Sequence, residues 1–195
     1  MQKHLKQQIR TINKTFRGFN LKKTDILVDA CIDTIANGRR IIATALGKND
    51  PICDKFAATL KSLGLDSHFI NTGSAVHGDL GLIKPEDLVI MISKSGETSE
   101  TIYLAKILKK RGTNNWLLTC NKKGTVHKYI KNIIVLPIDN EGDPWNIVPN
   151  NSVAVFLIFL QALTMELIER LEIQLSVFKE NHPGGGIGKV LKQAR

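Results

Sequence analysis

The stretch "LVIMISKSGETSE", Leu88 to Glu100, decides the fold. Its first five residues are apolar without alternation, the pattern of a strand buried on both faces. The next eight, Ser93 to Glu100, carry four hydroxyl side chains, one glycine and two carboxylates. From Thr98 a helical stretch runs to Arg111, where Gly112 stops it. A buried strand that passes through a short polar loop into a helix is one unit of a parallel sheet covered by helices.

The same alternation extends in both directions. Upstream, "RRIIATAL" (39–46) reads as a strand, "GKNDP" as its loop, and Pro51 opens a helix with Ile52, Phe56, Leu60 and Leu63 on one side and Gly64 after it. A short strand "SHFI" (67–70) follows, then a polar loop through "HGDLG". Downstream come "NWLLT" (115–119), the loop "CNKKG", a short helix, the strand "NIIVL" (132–136) and a long helix from about 150 to 170. Before all of these, a helix runs from a Thr24 cap to Gly38, and the first 23 residues form a basic helix with a Leu5, Ile9, Ile12, Phe16 stripe for packing. The expected fold is a doubly wound α/β domain with about five parallel strands and helices on both faces. At 195 residues and 43% hydrophobic composition, one core and one domain are expected over 1–195, with N-terminal helices in 1–38 and the α/β core and tail in 39–195.

Composition narrows the function classes. The net charge of +9 is spread through nearly every segment and accompanies no nucleic-acid-binding signature, so no nucleic-acid partner is expected; a positive surface suits a small anionic substrate. Cys31, Cys53 and Cys120 are an odd number without CxxC spacing and read as small core residues. No clustered His or acid spacing points to a metal, and no cofactor is expected. The longest apolar run, "VAVFLIFLQALTM", is interrupted by Gln161 and Thr164, and the N-terminus has no apolar signal region; the expectation is a cytoplasmic protein without a membrane partner.

In an open parallel sheet, ligands bind beyond the carboxyl ends of the strands, where loops lead into helix N-termini. Ser93 to Thr98 is such a loop. Hydroxyls of Ser93, Ser95 and Thr98, the Lys94 ammonium, and backbone N–H groups exposed by Gly96 and the following helix together suit a phosphate. The competing reading, in which Thr98 only caps its helix with Glu97 and Glu100 as favourable acids, leaves Ser93, Ser95 and Gly96 without a purpose.

"SKSGETSE" resembles the signature of the sugar isomerase (SIS) domain, a flavodoxin-like fold. "SAVHGDLG" (74–81), Glu141 placed eight residues before "PNNS", and "NHPGGGIGK" (181–189) bring the chain closest to the arabinose-5-phosphate isomerases, including the capsule-expression type. The resemblance covers about 39–191. It implies chemistry at Lys48, Glu100, Glu141 and His182, with Asn49 joining the phosphate loop and His77 and Ser152 in the substrate site. It also implies a homo-oligomer, a tetramer in which His182 reaches a neighbouring subunit's site; the glycine-rich tail and a long apolar helix in need of a packing partner fit this.

There are departures from the family text. "GKNDP" stands where "GKSGH" is common, Asn150 and Asn151 stand where Ser and Thr are common, and Asp143 and Trp145 are added beside Glu141. Many members carry a pair of CBS modules downstream, whereas this sequence ends at Arg195. The implied reaction interconverts D-ribulose 5-phosphate and D-arabinose 5-phosphate through an enediolate without metal. A shielded carboxylate of raised pKa (Glu141) moves the proton, an imidazole (His182) opens the ring, and an ammonium (Lys48) stabilises the oxyanion. Glu100 orients Lys48 or serves as a second acid–base group. Two alternatives stay open: an isomerase of hexulose or heptose phosphates, and a non-catalytic regulator that binds a sugar phosphate.

Overall fold

The computed structural model describes residues 1–17, 19 and 21–193; the last two residues of the expected 1–195 domain lie outside them. Five parallel strands form one sheet in the order β2-β1-β3-β4-β5: β1 (Ile41–Ala45), β2 (Ser67–Asn71), β3 (Leu88–Ile92), β4 (Asn114–Thr119) and β5 (Asn132–Val135). The helices are α1 (Gln2–Arg17), α2 (Leu21–Ala36), α3 (Asp50–Ser62), α4 (Ser99–Arg111), α5 (Asn151–Arg170), α6 (Leu175–Glu180) and α7 (Gly185–Gln193), with short 3-10 turns between them. This is the doubly wound arrangement expected from the alternation of strands and helices.

Both faces of the sheet are apolar because side chains alternate along each strand. Ile41, Ala43, Leu88, Ile90, Trp116 and Leu118 pack with Leu27, Phe56, Phe156 and Leu160 from α2, α3 and α5. Ile42, Val89, Met91 and Leu117 pack on the other face with Leu104, Ala105 and Leu108 of α4 and Val126 and Ile130. The chain therefore leaves β1 towards one face and β3 towards the other. Because Ile41 lies opposite Leu88 and Thr44 opposite Met91, these neighbouring strands end level. Their loops flank the point where the strand order reverses, the place where doubly wound sheets hold ligands in a crevice.

The helical segments depart from the expected boundaries at several points. α2 starts at Leu21, so Thr24 lies inside the helix, with a buried hydroxyl that has no partner among the described residues, and is not its cap. α1 turns Thr11 and Thr15 inward, and Leu5 and Ile9 remain 52% and 57% exposed. Ile12 and Phe16, the other half of the expected stripe, do pack against the core, and polar contacts add to them: Thr15 donates to the Pro137 carbonyl at 2.7 Å, Lys14 pairs with Asp139, and Gln7 and Gln8 reach Asn140 and Asn150. α5 has the length and composition of a membrane span, yet a buried strip from Val155 to Leu167 lies against the sheet and α1 to α3. That strip thus packs within the chain, while Ile158 and Met165 on the same helix stay exposed. The glycine-rich tail is also more regular than its composition suggests, because Gly185 and Gly186 begin α7.

Candidate active site

The loop after β3 is built to leave donors free. Gly96 takes φ +68°, which turns the chain and lets its N–H reach the Ser93 Oγ at 3.2 Å. Ser95 Oγ accepts from the Glu97 N–H at 3.2 Å. Both serine hydroxyls act as acceptors here, so each keeps its own proton to donate outward. Thr98 occupies the cap position of α4 without making a side-chain cap bond. Its hydroxyl and the first amides of α4 stand at the positive end of the helix dipole, an arrangement that favours an anion.

A second loop holds the first in place, and sequence reading gave it no role. Asn121 Nδ2 donates to the Ser95 carbonyl at 2.9 Å, the Val126 N–H donates to the Gly96 carbonyl, and the Glu97 carboxylate accepts from the Thr125 N–H at 2.8 Å and its hydroxyl at 2.5 Å. The Thr125 hydroxyl and then its N–H hold Glu97 below the ordinary carboxylate range. Gly124 allows the approach: a Cβ there would stand 2.6 Å from the Ser95 carbonyl oxygen. The signal available in the sequence was the echo of "SKSG" in "NKKG", each following a strand.

Glu141 lies beyond β5 with its side chain fully buried. Oε1 takes the Lys94 ammonium at 2.6 Å and the Ser152 hydroxyl at 2.6 Å; Oε2 takes the N–H groups of Ser152 at 2.9 Å and Asn150 at 3.0 Å. The carboxylate thus caps α5 and ties it to the anion loop. Burial pushes its pKa up, but Lys94, Ser152 and Asn150 more than offset this and hold it below the ordinary range. That differs from the raised value expected of a shielded base. Lys94, expected at the phosphate, here neutralises Glu141. Ser152, expected near the substrate, completes the same cluster.

Lys48 and Asn49 lie in the turn after β1, across the crevice from the anion loop. Lys48 is exposed and has no ion-pair partner among the described residues. Asn49 Oδ1 is buried without a hydrogen-bond partner among the described residues. The Glu100 carboxylate accepts from the Ser99 hydroxyl at 2.8 Å and does not pair with Lys48; its own N–H and then Ser99 lower its pKa. His77 is exposed at the end of a 3-10 turn in the loop after β2.

His182 is elsewhere. Its Nδ1 lies 2.9 Å from the Phe178 carbonyl, and its ring stacks on Phe178 at 3.9 Å. Asn181 beside it donates to the carbonyl of Ser62, the last residue of α3. Lys48 and Asn49 precede the first turn of the same helix. Thirteen residues at about 1.5 Å each separate the two ends by about 20 Å. One chain does not bring His182 to its own Lys48.

A hydroxyl-lined loop at the switch point of a doubly wound sheet, with a buried acid and an exposed lysine on the flanking loops, is an arrangement suited to an anionic ligand. The chain belongs to the SIS domain family, whose model matches residues 34–165. It is 32% identical over 167 residues to the arabinose 5-phosphate isomerase KdsD of Pseudomonas aeruginosa, covering 86% of this chain and 51% of the relative. It is 36% identical over 151 residues to the arabinose 5-phosphate isomerase KpsF of Escherichia coli, covering 77% and 48%. The chain thus spans about half the length of these curated relatives. The structure of a protein from E. coli CFT073 in complex with arabinose 5-phosphate matches at a TM-score of 0.84 and 27% identity, covering 92% of this chain and 94% of that one.

Proposed function

We propose that the chain is an aldose–ketose isomerase of a phosphosugar and interconverts D-ribulose 5-phosphate and D-arabinose 5-phosphate. The observation that carries this is the anion loop Ser93–Thr98, with free hydroxyl protons and an uncapped helix N-terminus, opening on the same crevice as Lys48. The relatives named for arabinose 5-phosphate support the choice of sugar. Ser93, Ser95 and Thr98 hold the phosphate, helped by Asn49. The Lys48 ammonium stabilises the enediolate oxygen, and Glu141 carries the proton between adjacent carbons. Glu100 stands at the start of α4 as the second acid–base group, and His77 lies at the rim. His182 opens the sugar ring in the site of a neighbouring copy, which accounts for its position at the far end of α3 and makes the active form a homo-oligomer, proposed as a tetramer.

A panel of phosphosugars tests the reading. Ribulose 5-phosphate and arabinose 5-phosphate should interconvert, with hexulose and heptose phosphates turned over far more slowly. Preference for either of the latter would overturn the assignment of substrate. The buried, ion-paired state of Glu141 favours a second reading, a binding module without catalysis. Tight binding of arabinose 5-phosphate with no turnover would select it.

A further inference from the structure

Glu141 has four donors on its two oxygens, and they are not equivalent. Three of them, the Asn150 N–H, the Ser152 N–H and the Ser152 hydroxyl, belong to the first turn of α5 and its cap, and are fixed by the helix. The fourth, the Lys94 ammonium, sits on a long side chain that is 39% exposed although its partner is wholly buried. The Lys94 backbone is pinned in the anion loop, where its carbonyl accepts from the Cys120 N–H and the Thr119 hydroxyl. Only the side chain is free to swing, and it starts from between Ser93 and Ser95 of that loop.

A carboxylate so fully solvated by donors is a weak base towards a carbon-bound proton. Removing a cation from a buried carboxylate leaves an uncompensated charge, which favours uptake of a proton. A doubly charged phosphate beside Ser93 and Ser95 offers Lys94 a stronger partner than one carboxylate oxygen. We propose that Lys94 is an exchangeable counter-ion, a positioning residue that holds Glu141 in the empty site and passes to the phosphate when the anion loop fills, freeing Glu141 to accept a proton. Substrate binding and base activation are then one event, and the carboxylate is kept from idle protonation while the site is empty. The isomerase reading enters only in what the freed carboxylate does next.

The other groups facing Glu141 are few. Cys120, after β4, has its thiol pushed up to about 12, by burial first and by Glu141 second, and stays protonated below that. α5 contributes its N-terminal dipole. α1 approaches through Gln7 and Gln8, and its Lys14–Asp139 pair is exposed.

The test reads Glu141 directly and needs no turnover. The side-chain carboxyl of Glu141 is followed by carbon NMR in 13C-glutamate-labelled protein, assigned by its loss in Glu141→Gln, and titrated with and without inorganic phosphate in wild type, Lys94→Met and Lys94→Arg. Phosphate should raise the wild-type midpoint by about one pH unit or more, the size of shift expected when a carboxylate loses an adjacent cation. Lys94→Met should show the raised midpoint without phosphate and no further rise with it; Lys94→Arg should behave as wild type. A wild-type midpoint that phosphate does not move, or equal midpoints in wild type and Lys94→Met, would overturn the proposal. If these shifts appear and no phosphosugar is isomerised, the functional reading fails and the exchange stands; if turnover is found with an unmoved midpoint, the exchange alone fails.

Discussion

Gly124 has φ −70° and ψ 154°, an extended conformation that alanine adopts without strain, so Gly124→Ala adds a methyl group and no backbone conflict. The new carbon would stand 2.6 Å from the Ser95 carbonyl oxygen and 3.0 Å from the Gly96 Cα, both backbone atoms that no rotamer change can move. Ordinary contact begins near 3.4 Å, so the 120–125 loop and the anion loop must part by about 0.8 Å. At a compatible site, glycine to alanine alone would stabilise by about 0.4–1 kcal/mol through the unfolded chain. Overpacking costs about 1–3 kcal/mol, which leaves a net loss of up to about 2.6 kcal/mol. For a chain of this size the melting temperature should fall, by up to about 10 °C.

The effect on binding should be larger, because the displaced atoms carry the anion donors. A misplacement near 1 Å costs up to about 10²-fold, so affinity for arabinose 5-phosphate should fall about 10–100-fold. Titration calorimetry with that sugar phosphate and a thermal melt measure the two quantities on the same protein. A variant that melts higher than wild type and binds equally well would refute the idea that the 120–125 loop sets the geometry of the anion site.

Three further outcomes follow from the same geometry. Ser95→Ala combined with Thr98→Val should weaken phosphosugar binding by a few kcal/mol, since charge-assisted hydrogen bonds contribute about 1.5–3 kcal/mol each; unchanged affinity by calorimetry would remove the phosphate from this loop. Glu141 is held below its ordinary pKa, so its stabilisation is complete above the unfolded value near 4.3 and is lost as pH falls through the folded value. Melting curves from pH 7 to pH 3 should therefore drop more steeply for wild type than for Glu141→Gln, and parallel curves would contradict this. Mixing inactive Lys48→Ala with inactive His182→Ala subunits and allowing exchange should restore part of the activity, because some sites then combine an intact lysine with a neighbour's intact histidine; no recovery, with exchange verified by mass, would count against shared sites.

What could be read from the sequence was whatever depended on local pattern. Continuous apolar runs marked β1, β3 and β4 as strands covered on both faces, and their order with the intervening helices gave the sheet and the place where ligands sit. Gly96 and Gly112 marked a turn and a helix end because their conformations require glycine. What escaped depended on tertiary context. The Leu5, Ile9, Ile12 and Phe16 stripe looked like one buried face; Ile12 and Phe16 do pack on the core, but Leu5 and Ile9 stay exposed, and Thr15 on the same helix finds a carbonyl partner at Pro137, 122 residues away. The state of Glu141 could not be inferred from "DNEGDPWN", since its counter-ion lies 47 residues earlier in the chain. No periodicity in "NHPGGGIGK" tells that His182 packs at the far end of α3 from Lys48.

The central claim is that this chain moves a proton between adjacent carbons of a five-carbon sugar phosphate. Incubation with D-arabinose 5-phosphate in deuterium oxide, followed by proton and deuterium NMR, tests it most directly. Wild type should convert the aldose to ribulose 5-phosphate with solvent deuterium appearing at C1 of the ketose and C2 of the recovered aldose, and Glu141→Gln should stop both while still binding the sugar. Bound arabinose 5-phosphate that keeps its C2 proton indefinitely with the wild-type protein would contradict the account.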